Sequence, residues 1–255
     1  MYTVVTGFFN IGREHWDYYH RPLEKYLSDF KNLLSLNANM IIFVESAFIP
    51  FVEENRRKVN FFLTTIIEIE IENLHMFGYL DKIISVQNSY SYAINHPNRL
   101  APEICKPLYN VVTCSKMDLM AKAVQINGCN SDWFIWLDAG YCHGTRDLSS
   151  QIWNPSRIFK HTDKMCVVAL QSLEVAEDDP HNFFNQYIDV CIGGFFAGTG
   201  DTILMVKDMY YDFLEKMLSE GIKDDDQFYM TMLVKRYPSL FKVFVDDWYG
   251  PMSWK

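Results

Sequence analysis

Residues 133–141 have the sequence Trp-Phe-Ile-Trp-Leu-Asp-Ala-Gly-Tyr. Five apolar residues are followed directly by Asp138, and Gly140 comes two positions later. This pattern predicts a buried central strand that ends at the edge of its sheet and presents a carboxylate there. Ligands of open α/β sheets bind outside the carboxyl ends of strands. Asp138 is therefore a candidate ligand for a divalent metal or a ribose hydroxyl, and its alternative role is to cap the following turn.

The rest of the chain alternates between apolar runs of strand type and segments with helical periodicity. Strands are predicted at 2–6, 40–45, 64–72, 165–170, 190–196 and 241–245. Helices are predicted within 16–37, beginning near Pro22, and at 46–57, 108–127, 202–218 and 224–237. Residues 80–87 fit either a helix end or a short strand, and 88–107 are predicted to form a loop. This alternation predicts an α/β fold, and the absence of repeats and linkers favours one domain over residues 1–255.

The composition limits the classes of function. The chain has 255 residues, a net charge of −9 and no block of Lys or Arg, so nothing would neutralise a run of phosphates. Non-specific nucleic-acid binding is therefore not expected, whereas a small anionic ligand bridged by a metal is compatible with this charge.

The cysteine pattern and the first residues of the chain bear on the cellular compartment of the protein. The six cysteines form no Cys-x-x-Cys pair, which predicts free thiols rather than a zinc site or a disulfide framework. Residues 1–7 are too short an apolar run for a signal peptide, and no stretch approaches a transmembrane span. We expect a soluble protein of the cytoplasm.

The turn after the first predicted strand is the first candidate binding segment. Residues 6–13 have the sequence Thr-Gly-Phe-Phe-Asn-Ile-Gly-Arg, at the place where nucleotides lie in α/β sheets. The spacing is neither Gly-x-Gly-x-x-Gly nor that of a P-loop. Phe8 or Phe9 could stack on a base and Arg13 could contact a phosphate. The alternative is a buried aromatic turn with a surface arginine.

A glycine-rich segment is the second candidate. Residues 192–200 contain four glycines, which predicts a tight loop with open space for a sugar ring beside it. A plain hairpin is the alternative.

The acidic run Asp224, Asp225 and Asp226, followed by Gln227, is the third candidate. Acids in the first turn of a helix are favoured by the helix dipole, which is the simpler explanation. A carboxylate at a helix start can also point into a cleft as a base or bind sugar hydroxyls.

The order of these segments resembles that of glycosyltransferases with the GT-A fold, which use nucleotide-sugar donors. More closely, residues 5–13, the strand end at 136–141 and the Asp225-Asp226-Gln227 step resemble the HtrL/YibB-type family of proposed glycosyltransferases, over nearly the whole chain. The resemblance implies a single GT-A-like domain with a mixed, mostly parallel central sheet and helices on both faces.

The resemblance also implies a set of site residues. Asp225 and Asp226 would be catalytic, and a divalent cation, Mn²⁺ or Mg²⁺, would be held by Asp138, with His143 or a distant Asp as a second ligand. Gly140 stands where the second Asp of an Asp-x-Asp motif is usual, which puts metal dependence in question. A carboxy-terminal segment with Asp246, Asp247 or Trp248 would close the site. The residues expected to bind the nucleotide sugar are Thr6, Gly7, Phe8, Phe9, Asn10, Arg13, Asp138, Ala139, Gly140, Gly193, Gly194, Phe195 and Gln227.

The implied reaction is transfer of a sugar from a nucleoside-diphosphate sugar, a UDP-sugar first of all, to a hydroxyl of a glycan or another acceptor. Charge on the leaving diphosphate would be neutralised by the metal or by Arg13 and Arg146. The sequence does not choose between inversion and retention. Two alternatives stay open, a nucleotidyltransferase and a non-catalytic nucleotide- or carbohydrate-binding module.

Overall fold

A computed structural model describes residues 1–89, 92, 98–141 and 153–254. Within these ranges the strands are β1 Tyr2–Phe8, β2 Asn39–Val44, β3 Thr64–Glu68, β4 Trp133–Leu137, β5 Met165–Ala169, β6 Cys191–Thr199 and β7 Phe241–Val245. The α-helices are α1 Leu23–Leu34, α2 Ile49–Arg57, α3 Leu80–Gln87, α4 Pro102–Cys105, α5 Pro107–Cys114, α6 Lys116–Ile126, α7 Pro180–Gln186, α8 Gly200–Ser219, α9 Asp226–Arg236 and α10 Gly250–Ser253. Short 3₁₀ helices cover Arg13–His15, Ser46–Phe48, Phe61–Leu63, Ile71–Asn73, His75–Tyr79, Leu173–Val175 and Pro238–Leu240.

The seven strands named above form one sheet in the order β3-β2-β1-β4-β6-β5-β7. Strands β1 to β4 run parallel to one another, and β7 is parallel to β5. Strand β6 is antiparallel to both of its neighbours, β4 and β5. The amino end of β6 therefore lies at the edge where β1, β2 and β4 have their carboxyl ends. The predicted α/β class, with a mixed and mostly parallel sheet, is confirmed.

Helices cover both faces of this sheet. Successive side chains of a strand face opposite sides, so Ile135 and Trp136 of β4 belong to different buried clusters. The cluster around Trp136 also holds buried residues of α5, α6, α8 and α9, whereas the cluster around Ile135 holds buried residues of α1 and α2. All five residues of β4 are buried, as the apolar run predicted. The helices on both faces that the resemblance implied are thus present.

The glycine-rich segment at 192–200 is not a loop or a hairpin. Residues 192–199 belong to β6, which pairs with β4 on one side and β5 on the other, and Gly200 begins α8. Pairing on both sides satisfies the backbone groups, and this tertiary context outweighs the turn tendency of glycine. The predicted strand 190–196 is correspondingly extended to Thr199.

Other boundaries also differ from the sequence prediction. The helix expected at 108–127 is two helices, α5 and α6, separated at Ser115, whose Oγ donates a hydrogen bond to the carbonyl of Val111 at 2.7 Å. Residues 80–87 form a helix, and α4 lies inside the segment expected to be loop. Helix α7 has no predicted counterpart, and it begins with Pro180 after the side-chain cap of Asp179.

The described part of the chain contains no helix that combines the length and the apolar character needed to span a bilayer.

Candidate functional site

A cavity of about 320 Å³ opens at the sheet edge where β1 and β4 end and β6 begins. Segments from distant parts of the sequence meet in its wall: the loop after β1, helices α5 and α6, the end of β4, the start of β6 and the start of α9. Most residues predicted from the sequence line it, namely Gly7, Phe8, Phe9, Asn10, Arg13, Asp138, Ala139, Gly140, Gly193, Gly194, Asp225, Asp226 and Gln227.

Lys116, the first residue of α6, connects the two sides of this cavity. Its Nζ lies 2.8 Å from Oδ1 of Asp138 and 2.9 Å from Oδ2 of Asp226. It also donates a hydrogen bond of 3.0 Å to the carbonyl of Gly193. One ammonium group thus holds the end of β4 and the start of α9 together against β6.

The carboxylate of Asp138 is oriented by two donors. Trp136, two positions earlier, donates from Nε1 to Oδ1 at 2.7 Å, and its ring stacks on Phe196 of β6 with centroids 5.9 Å apart. Lys116 contacts both carboxylate oxygens. The Asp138 side chain is nevertheless 37% exposed, against 8% for Asp226, so Asp138 is the carboxylate that a ligand reaches first.

The two glycines at the start of β6 allow the close packing behind this cluster. A Cβ on Gly193 would collide with the carboxylate of Asp226, and a Cβ on Gly194 would lie 2.7 Å from the ring of Tyr141. The amide of Asp138 donates to the carbonyl of Gly194 at 3.1 Å, which continues the ladder between β4 and β6. Glycine is therefore required at both positions by close approach rather than by a turn.

Asp225 caps α9 and lies beside the cluster. Its Oδ1 accepts from the amide of Gln227 at 3.0 Å, and its Oδ2 accepts from Nε2 of the same residue at 3.1 Å. Burial raises the pKa of Asp225 to about 7, and the nearby Glu103 adds to this effect. A buried carboxyl with such a pKa can exchange a proton near neutral pH.

Burial and the charges of the cluster together explain the pKa shifts of Lys116 and Asp226. Burial raises the pKa of Asp226, and the ammonium of Lys116 opposes this effect. Burial by itself would lower the pKa of Lys116, but Asp138 and Asp226 outweigh it and raise the pKa above its ordinary value. Lys116 therefore stays charged, whereas burial disfavours the ionised forms of Asp225 and Asp226.

The loop after β1 is held by hydrogen bonds within the cavity wall. The amide of Asn10 donates to Oε2 of Glu45 at 2.5 Å, and Oδ1 of Asn10 accepts from the amide of Gly12 at 3.0 Å. Gly12 adopts a left-handed conformation with φ 69°, which glycine adopts without strain. Phe9 is half-buried in the wall, so its ring is the candidate surface for a base.

Two arginines lie on the same side of the cavity. Arg13 donates from NH1 to the hydroxyl of Tyr26 at 2.5 Å, and from Nε to the carbonyl of Tyr19 at 2.8 Å. The guanidinium carbon of Arg21 lies 4.9 Å from the ring centroid of Tyr26. Together they form a positively charged wall in which planar guanidinium groups can meet phosphate oxygens.

Three of the predicted residues are placed differently from the expectation. Thr6 is fully buried in β1 and does not line the cavity. Phe195 is fully buried on the opposite face of β6, where its ring packs on Trp254 with centroids 5.3 Å apart. Phe8 lines the cavity but is 4% exposed and stacks on Phe30 at 5.0 Å, which leaves it no free face for a base.

The carboxy-terminal segment contributes one cavity residue. Trp248 lines the cavity, and its carbonyl accepts a hydrogen bond from the hydroxyl of Tyr141 at 2.6 Å. Asp246 does not line it and instead accepts from Nε1 of Trp254 at 2.9 Å. Asp247 is also outside the wall, where its Oδ1 accepts from the amide of Tyr249 at 2.7 Å.

The described residues do not by themselves complete a divalent-cation site. They contain no group of three or more His, Cys, Asp or Glu side chains placed to hold a metal. Both oxygens of Asp138 already accept hydrogen bonds, and the cation beside them is the ammonium of Lys116. The predicted second ligand, His143, lies outside the described residues, and so does Arg146.

Lys116 is the main site residue that the sequence analysis missed. A usable signal was present, because Lys116 shares one helix stripe with Leu119, Met120 and Ala123, all of them buried. A lysine on the apolar stripe of a helix indicates a buried partner of opposite charge. Tyr109 also lines the cavity and was outside the predicted set, and it has no local sequence pattern that distinguishes it.

Comparison with known proteins gives one family and one relative by sequence. The family described as "Bacterial protein of unknown function (HtrL_YibB)" matches residues 1–253. Protein HtrL of Escherichia coli (strain K12) is 30% identical over 261 residues, covering 94% of this chain and 86% of that protein.

Two solved structures also align with most of the chain. Apo mouse xyloside xylosyltransferase 1 is 13% identical with a TM-score of 0.49, covering 95% of this chain and 84% of that one. The 4-diphosphocytidyl-2C-methyl-D-erythritolsynthase of Anaerococcus prevotii DSM 20548 is 11% identical with a TM-score of 0.40, covering 96% and 87%.

Proposed function

We propose that this chain, which belongs to the HtrL/YibB family, transfers a sugar from a nucleoside-diphosphate sugar to a hydroxyl group. One observation supports this most strongly: Lys116 joins Asp138 and Asp226 in a cavity at the carboxyl edge of the sheet, beside the loop that follows β1. A sugar ring with several hydroxyls needs such paired donors and acceptors, and a nucleotide needs such an edge.

The charge distribution of the cavity supports this position for the donor. The diphosphate lies against Arg13 and Arg21, which supply the positive charge that its oxygens need. The base lies on the half-buried ring of Phe9, and the backbone around Gly7 and Asn10 allows close approach. The sugar then reaches Asp138, Lys116 and Asp226. A uracil nucleotide is the first to test, as the family resemblance suggests.

The chemical step uses the carboxyl groups at the start of α9. The bond between the anomeric carbon and the diphosphate oxygen breaks, and its electron pair leaves on that oxygen. A lone pair of the acceptor hydroxyl forms the new bond to the anomeric carbon, and the hydroxyl proton passes to the carboxylate of Asp225. Asp226 and Asp138, held by Lys116, bind the sugar hydroxyls, and Arg13 and Arg21 stabilise the charge that develops on the diphosphate.

Calorimetry with a panel of nucleoside mono-, di- and triphosphates, with and without Mn²⁺, tests this assignment. The proposed transferase binds a diphosphate in preference to the triphosphate, and Arg13→Gln weakens that binding. Preference for a triphosphate favours a nucleotidyltransferase, and absence of nucleotide binding favours a carbohydrate-binding module; either result contradicts the proposal.

A screen of sugar nucleotides then tests the reaction. Release of the nucleoside diphosphate, with formation of a glycosylated product detected by mass spectrometry, is the expected result. The anomeric configuration of the product, measured by NMR, distinguishes inversion from retention. Asp208→Asn is a suitable control, because this carboxylate is 73% exposed on α8 and, among the described residues, its ion-pair partner is the neighbouring Lys207.

A further inference from the structure

A second cavity of about 200 Å³ adjoins the first. The two share four residues, Arg13, Tyr109, Asp225 and Gln227, so Asp225 lies at their junction. The carboxamide oxygen of Gln227 is buried there and accepts no hydrogen bond from the described residues. A molecule in the second cavity would therefore contact the proposed base at the junction with the donor cavity.

The second cavity differs from the first in its charge. Four carboxyl groups line it, those of Glu103, Asp189, Asp224 and Asp225, and among the described lining residues the only cation is Arg13. Partial removal from water raises the pKa of Glu103, Asp189 and Asp224. Each of these carboxyl groups that is ionised would repel a phosphate or a carboxylate placed here, and Arg13 is the one described lining residue that could offset this repulsion.

Aromatic rings form much of the remaining wall. Tyr19 and Tyr187 both adopt left-handed backbone conformations, with φ of 56° and 50°. Their hydroxyl groups both accept hydrogen bonds from Nδ2 of Asn98, at 2.8 and 2.9 Å. Tyrosine is costly in this conformation, so the surrounding structure must hold both residues in it. The rings of Phe183 and Phe228, stacked at 5.6 Å, line the same cavity.

We propose that the second cavity binds the acceptor, and that the acceptor is a carbohydrate without negative charge, either a neutral sugar or an amino sugar. Aromatic faces suit the apolar side of a sugar ring, and carboxyl groups suit its hydroxyl and amine donors. The inference rests on the proposed function, because a molecule is an acceptor only if the chain transfers a sugar to it. Binding of the carbohydrate can nevertheless be measured without any transfer.

Direct binding is the first experiment. Saturation-transfer NMR is recorded on the full chain with the methyl glycosides of glucose, galactose and mannose, and with the matching 2-amino sugars and uronates. The expected result is that at least one neutral or amino sugar binds, while every matching uronate binds at least about tenfold more weakly. The double substitution Glu103→Gln with Asp189→Asn should reduce this discrimination by about tenfold or more, and Asp208→Asn should not change it.

The position of the cavity is tested by a second variant. Tyr187→Ala should abolish sugar binding while the protein still binds a nucleoside diphosphate in the first cavity. The inference is overturned if a uronate binds as tightly as, or more tightly than, the matching neutral sugar. It is also overturned if the double variant discriminates as the wild type does, or if none of these sugars binds. Failure of the proposed function gives a different result: the wild-type protein does not bind a nucleoside diphosphate, but it still binds the neutral or amino sugar in preference to the uronate.

Discussion

The Nζ atom of Lys116 lies 2.9 Å from Oδ2 of Asp226, although 110 positions separate the two residues. The same atom contacts Oδ1 of Asp138 at 2.8 Å and the carbonyl of Gly193 at 3.0 Å. An ammonium group has three donors, so these three partners saturate it. The start of α6, the end of β4, β6 and the start of α9 are therefore joined at one nitrogen atom, and the geometry of the cavity depends on it.

Replacing Lys116 should destabilise the protein and inactivate it. Lys116→Met leaves Asp138 and Asp226 close together without a cation, and the loss of one partner of a buried ion pair costs about 3–5 kcal/mol. Urea unfolding of the variant measures the free energy of unfolding. The control is Lys122→Met on the same helix, where the lysine is 39% exposed and pairs with Asp118, so a loss below about 1 kcal/mol is expected. Equal losses in the two variants would contradict the role given to Lys116.

The parts of the site that could be predicted are those with a local signature. The strand before Asp138 is a continuous apolar run, and Asp225 stands at a helix start, where an acid accepts from the first-turn amides. Both patterns depend only on neighbouring residues, and the structure places both residues in the cavity wall. The alternation of strands and helices likewise predicted the α/β class.

The parts that could not be predicted depend on distant residues. The ammonium of Lys116 is stabilised by carboxylates 22 and 110 positions away. Gly193 and Gly194 suggested a loop, because glycine tolerates turns, but β4 and β5 pair with this segment on both sides and make it a central strand. Phe195 does not line the cavity, because side chains alternate along β6 and its ring lies on the opposite face of the sheet.

The carboxylates Asp138 and Asp226 are each expected to be required for transfer. Asp138→Asn and Asp226→Asn keep the shape of the side chain but remove its charge, so the contact with Lys116 and the binding of sugar hydroxyls in the transition state both weaken. A fall of at least about 100-fold in kcat is expected for each, measured with the donor identified in the sugar-nucleotide screen. Circular dichroism shows whether the fold is retained. Full activity in either folded variant would remove that residue from the mechanism.

The raised pKa of Asp225 predicts opposite pH trends for activity and for stability. A base must be deprotonated, so the transfer rate should rise with pH and level off above about 7. The apparent pKa of this profile belongs to the Asp225–Asp226 pair and not to one residue. A carboxyl whose pKa is higher in the folded than in the unfolded chain stabilises the fold below the unfolded value, about 4, and this contribution is lost as the pH rises to about 7.

Unfolding experiments between pH 4 and pH 8 measure how the stability depends on pH. The free energy of unfolding of Asp225→Asn should decline less over this range than that of the wild type, because the titrating group is gone. Asp208→Asn should decline as the wild type does. A wild-type rate that is independent of pH between 5 and 8 would contradict the assignment of Asp225 as the base.

Gly193 should not tolerate a side chain. In Gly193→Ala the new Cβ collides with the carboxylate of Asp226, and relief requires that carboxylate to leave Lys116 or β6 to move from α9. A loss of about 1–3 kcal/mol in the free energy of unfolding is expected, as for other overpacked sites. Gly78→Ala is the matched control, since a Cβ there meets nothing within 4 Å. Similar stabilities of the two variants would show that the packing at Gly193 is looser than described.

Adding the missing carboxylate of the Asp-x-Asp motif should create a metal site. A Cβ at Gly140 meets nothing within 4 Å, so Gly140→Asp can place a second carboxylate near Asp138 without a clash. Mn²⁺ prefers oxygen ligands, and two carboxylates can compete with Lys116 for the metal position, so Mn²⁺ affinity should rise at least about tenfold over the wild type. Calorimetry with Mn²⁺ alone measures it, and Gly140→Asn is the control because it has the same shape without the charge. Equal, tight Mn²⁺ binding by the wild type and by Gly140→Asp would instead mean that residues beyond Asp138 already complete a metal site.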